Sequence, residues 1–117
     1  MKRVVITSSV AAIYVSSNKN QKEFTVNDWT DLNNATPYEK SKTMAEKAAW
    51  DFQASLPEEE RFEIVTVNPG LVLGPNLNKA QFSSGDIIKK LMMKELPGVP
   101  LMQMPIVDVR DVAEAHL

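Results

Sequence analysis

The sequence predicts an α/β architecture built on a doubly wound parallel sheet, and three observations carry that prediction. Val4-Val5-Ile6 is a β-branched run without the polar alternation of a half-exposed strand, so it reads as a strand of a sheet covered on both faces, and Phe62–Val67 reads as a second strand. Between and after them lie stretches whose apolar residues recur at helical spacing. The resulting order of strand, helix, strand, helix, strand, helix is the alternation that layers helices onto a parallel sheet.

The elements follow in order. Thr7-Ser8-Ser9 closes the first strand, and Val10–Val15 is a short apolar stretch that reads as a turn of helix or a covered loop. Residues 16–36 are rich in Ser, Asn, Asp and Thr and read as a long loop, with Phe24 and Trp29 expected to pin it to the body. Pro37 suits a first helical position, where a missing N–H is no loss. From Tyr38 the apolar or small positions 38, 41, 45, 48, 49, 52 and 56 form a stripe that predicts a helix with that face inward. Pro57 and Glu58-Glu59-Glu60 end it, the acidic run as a solvated helix end. After the second strand, Asn68-Pro69-Gly70 reads as a terminator, Leu71–Pro75 as an apolar turn and Asn76–Ser84 as a polar loop. Gly85-Asp86 opens a helix whose apolar positions are Ile87, Ile88, Leu91, Met92 and Leu96. Met102–Val107 reads as a short strand and Asp108–Leu117 as the start of a further helix. The methionines at 92, 93, 102 and 104 read as adaptable core or pocket filling.

Two or three strands are few for a sheet covered on both faces, since parallel strands need neighbours on both edges. The pattern therefore predicts the central-to-C-terminal portion of a larger protein, with on the order of three strand–helix units of roughly 30 residues each upstream.

Composition narrows the function. The 117 residues carry a formal charge of −2, which gives no electrostatic footprint for nucleic acid or a membrane surface. There is no cysteine, so thiolate nucleophiles, thiolate metal sites and disulfides are excluded. One histidine, His116, makes a histidine metal site improbable, and it is assigned no role. Apolar runs are too short for a membrane span or a secretory leader, so the expected location is cytoplasmic.

The chemistry lies in Ser9, Tyr38 and Lys42. Ligands of parallel α/β sheets bind at the carboxyl ends of strands, where Ser9 stands. Tyr38 and Lys42 are four residues apart and share a helix face. A fixed ammonium favours the phenolate of a neighbouring tyrosine, and such a phenol can give a proton to a carbonyl oxygen or take one from an alcohol. Tyr-x-x-x-Lys recurs on amphipathic helices, Thr-Ser-Ser is commonly a turn and Asn-Pro-Gly a strand end. Their occurrence in this order within a strand–helix–strand frame is what points to catalysis.

The segments Val4–Ser9, Tyr38–Lys42 and Val67–Pro75 resemble the extended short-chain dehydrogenase/reductase superfamily, which includes the NAD-dependent epimerases and dehydratases. Ser41–Trp50 and Val107–His116 are similar to its dihydroflavonol reductase, cinnamoyl-CoA reductase and aldehyde reductase branch. The resemblance implies a partial Rossmann-like fold, with residues 1–75 as the catalytic part of the dinucleotide-binding domain and 76–117 as a partial substrate-binding region, and NAD(P)H-dependent reduction of an aldehyde or ketone. It implies that Ser9 orients the substrate oxygen, that Tyr38 is the general acid/base, and that Lys42 favours the Tyr38 phenolate and binds the nicotinamide ribose. The cofactor, NADP or NAD, would be held by Thr7, Ser8, Tyr38, Lys42, Pro69, Gly70, Leu71 and Val72, with Gly70 allowing backbone to approach the ring. A sugar-nucleotide epimerase or dehydratase would use the same three residues. The run Ala45–Trp50 argues against it, as does the lack of an acidic pair after Ser9. A non-catalytic nucleotide-sensing or scaffold relative would have no need of the full set.

The four glycines, at 70, 74, 85 and 98, do not form the glycine-rich turn that cradles a dinucleotide pyrophosphate. The 117-residue chain expressed alone is therefore expected to bind NADPH weakly or not at all. Fluorescence titration checks this, and tight, saturable binding would refute it.

Overall fold

β-Branched side chains lose rotamer freedom in a helix and pack well on a pleated surface. The run at Val4–Ile6 accordingly forms the centre of strand β1, Arg3–Thr7. A computed structural model describes residues 2–18, 20–77, 83–98 and 103–117. β1 pairs in parallel with β2, Glu63–Val67, with Val4 opposite Ile64 and Thr7 opposite Val67. Helix α1, Pro37–Ser55, connects them, as parallel pairing requires a crossover. These elements form one compact unit, Met1–Pro69.

A second compact unit, Gly70–Leu117, repeats the pattern. Strand β3, Leu71–Leu73, pairs in parallel with β4, Ile106–Asp108, with Leu71 opposite Ile106 and Leu73 opposite Asp108. Helices α2, Ser83–Met92, and α3, Val109–Glu114, complete it. Asp108 caps α3 by accepting the Arg110 amide at 2.8 Å, and the Arg110 guanidinium grips the same carboxylate. These hydrogen bonds hold the Asp108 carboxyl down at about 2. Among the described residues no helix is long and apolar enough to cross a membrane.

Several details differ from the sequence expectation. Leu71–Leu73 is a strand rather than a turn. The flanking Asn-Pro-Gly and Gly-Pro bracket three residues whose partner lies some thirty positions on. Val4, Val5 and Ile6 are half-buried, short of cover on both faces. The stretch after β1 forms a single 3₁₀ turn, Val10–Ala12, and Glu58–Glu60 forms another, separate from α1. The loop is pinned less by its aromatics than by Thr30, 3% exposed. Its amide donates to Ala12 O at 2.9 Å and its hydroxyl to Ala11 O at 2.8 Å. Trp29 is half-buried beneath the Lys47 ammonium, 5.0 Å from the ring centroid, while Phe24 is exposed. Met92 and Met93 are exposed rather than in a core. The polar loop expected at 76–84 and the strand start at Met102 lie partly outside the described residues.

The largest difference is the face of α1. Its buried residues are Glu39, Thr43 and Glu46, whereas Ser41, Ala45, Ala48 and Phe52 of the expected stripe are exposed. The helix turns a polar face inward, and every buried position on it has a hydrogen-bond partner.

Gly74 has φ +144°, and a Cβ there would stand 2.7 Å from Val109 Cγ1. Both the backbone conformation and the contact oppose a side chain, so Gly74→Ala is expected to destabilise the protein by about 1–3 kcal/mol. The shift of the urea midpoint followed by far-ultraviolet circular dichroism measures it, and an unchanged midpoint would contradict the assignment.

Candidate active site

The start of α1 is fixed by its own sequence. Thr36 and Glu39 have the spacing of a capping box, in which each side chain satisfies the other's exposed amide. The Thr36 hydroxyl accepts the Glu39 amide at 3.4 Å, a long contact, and Glu39 Oε2 accepts the Thr36 amide at 2.6 Å. Pro37 occupies the first turn. Glu39 Oε1 then accepts the Tyr14 hydroxyl at 2.6 Å, tying the helix start to the segment after β1. One turn on, the fully buried Thr43 donates its hydroxyl to Glu39 O at 2.7 Å.

This anchoring sets the position of the flank that carries Tyr38 and Lys42. Four residues of helix rotate a side chain about 40° past a full turn, so the two lie on one flank beside the buried face. Tyr38 is 59% exposed and Lys42 is half-buried. The Tyr38 carbonyl accepts the Ser41 hydroxyl at 2.7 Å.

Thr7, Ser8 and Ser9 stand at the carboxyl end of β1. Thr7 is exposed and pairs with Val67. The Ser8 amide donates to Val67 O at 2.8 Å. Its hydroxyl is buried and has no hydrogen-bond partner among the described residues. Ser9, 8% exposed, caps the 3₁₀ turn: its Oγ accepts the Ala11 amide at 3.2 Å. A hydroxyl has one proton to give as well as lone pairs, so Ser9 keeps its proton for another acceptor. Val10 N–H donates to Pro69 O at 3.0 Å, which places Pro69 beside the same turn.

Gly70, Leu71 and Val72 belong to the second unit. The space a Cβ would need at Gly70 is taken by the Pro105 carbonyl oxygen and, at 2.8 Å, by the Pro105 ring. Leu71 N–H donates to Pro105 O at 2.7 Å. The glycine thus admits this chain's own backbone. An open cavity of about 320 Å³ in the same unit is lined by residues that include Val72, Gly74, Asn76 and Ser84. His116 is part-buried, with Nδ1 2.7 Å from Val112 O.

These strand ends and the Tyr–Lys flank make comparison with known proteins informative. The model of the NAD dependent epimerase/dehydratase family matches residues 1–117. The chain belongs to that family. It is 34% identical to an NADPH-dependent methylglyoxal reductase of Saccharomyces cerevisiae, covering all of this chain and 39% of that protein. It is 37% identical to cinnamoyl-CoA reductase 1 of Arabidopsis thaliana, covering all of this chain and 34% of that one. A ketoreductase of Aspergillus niger is 37% identical over 99% of this chain and 38% of its own length. The chain therefore spans under two fifths of the length of these curated relatives.

Sequence reasoning passed over Tyr14, Glu39 and Thr36. The Thr36-x-x-Glu39 spacing was a readable signal for two of them. Tyr14 is 25 positions from Glu39, and no local pattern marks it.

The Tyr14–Glu39 bond is sensitive to pH at both ends. Burial pushes Glu39 up, but the hydrogen bonds from Tyr14 and Thr36 outweigh it, and its net direction is down. The Glu39 acceptor, then burial and the charges of Glu39 and Tyr38, raise Tyr14 from 10.0 to about 12. A lowered acid stabilises above the ordinary carboxylate range and loses that as pH falls through its folded value. A raised phenol stabilises below its ordinary value and loses that as pH rises through about 12. Tyr14→Phe should destabilise by about 1 kcal/mol near neutrality, discounted for the half-exposed ring. Thermal unfolding across pH should show the gap to wild type closing in acid and again in strong alkali. A gap independent of pH would rule the pair out as its source.

Proposed function

We propose that the protein is an NAD(P)H-dependent oxidoreductase that reduces an aldehyde or ketone to an alcohol. The observation that carries this reading is the exposed Tyr38 phenol on the first turn of α1, with Lys42 one turn along the same flank. The three relatives described above are all reductases by name, which supports carbonyl reduction over epimerisation.

The hydroxyls at the end of β1 fit a bound cofactor. Among the described residues the buried Ser8 hydroxyl is a donor without an acceptor, at the strand end where ligands of this architecture bind. Thr7, Ser8, Tyr38 and Lys42 would hold it on this reading. A nicotinamide, when bound, supplies the hydride that reduces the carbonyl carbon. The chain's own residues manage the oxygen. Tyr38 donates its phenolic proton to the oxygen as negative charge develops there. The Lys42 ammonium favours the phenolate left behind. Ser9, with a lone pair engaged by the Ala11 amide, would donate a hydrogen bond to the same oxygen while keeping its proton, holding it for protonation by Tyr38. Residues 76–117 would contribute part of the substrate-binding region, and the substrate is a small carbonyl compound.

The test is the full-length protein with NADPH and a panel of aldehydes and ketones. Tyr38→Phe is expected to lower kcat/KM by about 10²–10⁴-fold, the range of a lost general acid, while NADPH binding by fluorescence is retained. Undiminished turnover in Tyr38→Phe would remove the acid/base assignment.

A further inference from the structure

Asn68 directly follows β2 and reaches two other parts of the chain. Its amide nitrogen donates to the Ser9 carbonyl oxygen at 3.1 Å and to Glu46 Oε2 at 2.8 Å. Both neighbours are acceptors only, so the side chain must present its NH2 group to them, and the amide orientation follows from the chemistry. Glu46 is 6% exposed and lies one turn beyond Lys42 and two beyond Tyr38 on α1. A carboxylate so buried needs a partner, since an unsatisfied charged group is costly. The Trp50 indole on its other oxygen is at 3.5 Å, the outer limit of a hydrogen bond. Asn68 is therefore the partner that matters, and the amide cannot leave Ser9 without also abandoning Glu46.

We propose that Asn68 and Glu46 are positioning residues for the acid/base centre: the buried carboxylate anchors the amide, and the amide fixes Ser9 relative to the helix that carries Tyr38 and Lys42. This rests on the reading of those three residues given above. The backbone bonds Ser8 N to Val67 O and Val10 N to Pro69 O hold the same segment without any side chain. Loss of the Asn68 side chain thus leaves the strand end attached while freeing the placement of Ser9 between those bonds.

A double-mutant cycle in the full-length protein tests the proposal. Asn68→Ala should lower kcat by about 10–100-fold, as small misplacements of a reacting group do, with KM for the carbonyl substrate changed less than about twofold. In a Ser9→Ala background the same substitution should lower kcat less than about twofold, because residues acting as one unit are not additive. Asn68→Asp, which sets an acceptor against two acceptors, should be at least as damaging as Asn68→Ala. Glu46→Gln, which keeps an oxygen for the amide, should be milder. An equal loss from Asn68→Ala with and without the Ser9 hydroxyl would mean a general effect on folding and would overturn the proposal. Amide hydrogen exchange gives a readout independent of turnover. The Ala11 amide, held by Ser9 Oγ, should exchange faster in Asn68→Ala while the β1 amides are unchanged. Uniform or absent acceleration overturns the proposal. If Ser9→Ala and Tyr38→Phe themselves leave turnover intact, the acid/base reading fails, and the exchange data still decide whether Asn68 holds Ser9.

Discussion

The inward face of α1 is polar, and the first unit depends on how that face is satisfied. Glu39, Thr43 and Glu46 are buried along it. Glu39 is met by Tyr14 and Thr36, Thr43 by the Glu39 carbonyl, and Glu46 by Asn68. An apolar face would gain free energy from any contact that excludes water, and that gain has no direction. A polar face gains little net and loses about 1–3 kcal/mol for each group left unpaired. The buried apolar residues among those described are small or few, Ala11, Ala12 and Ile64. What α1 forgoes in hydrophobic burial it recovers as a unique register, because only one placement of the helix meets all three groups at once.

That register matters for the flank above it. Tyr38 sits in the first turn and Lys42 in the second, both beside the anchored face rather than on it. The partners below come from three places in the chain: Tyr14 after β1, Thr36 before the helix and Asn68 after β2. Each contact constrains rotation of the helix about its axis, and with it the direction in which the Tyr38 phenol points. On the proposed acid/base reading of Tyr38, such support is what general acid–base catalysis requires, since the reacting oxygen must be met within hydrogen-bond reach.

Much of this was legible in the residues and some of it could not be. β1, β2 and α1 have strong local signals: β-branched runs, and Pro37 ahead of a long helical pattern. The Thr36-x-x-Glu39 box and Asp108 ahead of α3 were equally local and could have been read as caps. The orientation of α1 was not available in the same way. A hydropathy stripe scores each residue alone and sends Ala45, Ala48 and Phe52 inward. The outcome was decided by acceptors and donors as far away as Tyr14 and Asn68, whose positions only the fold supplies. Leu71–Leu73 failed for a related reason. Three residues between turn formers carry no period, and their strand character comes from a partner at Ile106–Asp108. Of the candidate site, the residue types and their order were visible, while the network beneath them was not.

The adjacent serines show how one strand end can serve two purposes. Successive residues of extended chain point to opposite sides, and Ser9 is extended at φ −163°, ψ 152°. Both hydroxyls are buried, yet Ser9 is spent partly on a cap whereas Ser8 has no partner among the described residues. A cap uses a lone pair and leaves a proton, so Ser9 is suited to donate to an oxygen that gains charge. An unpartnered buried hydroxyl is a standing cost of about 1–3 kcal/mol, which any ligand supplying an acceptor would relieve. On the proposed reading, the unequal satisfaction of two identical side chains would suit a division of labour, with Ser9 toward the reacting oxygen and Ser8 toward the cofactor. On that reading, the energy left unrecovered at Ser8 would favour the bound state over the free one.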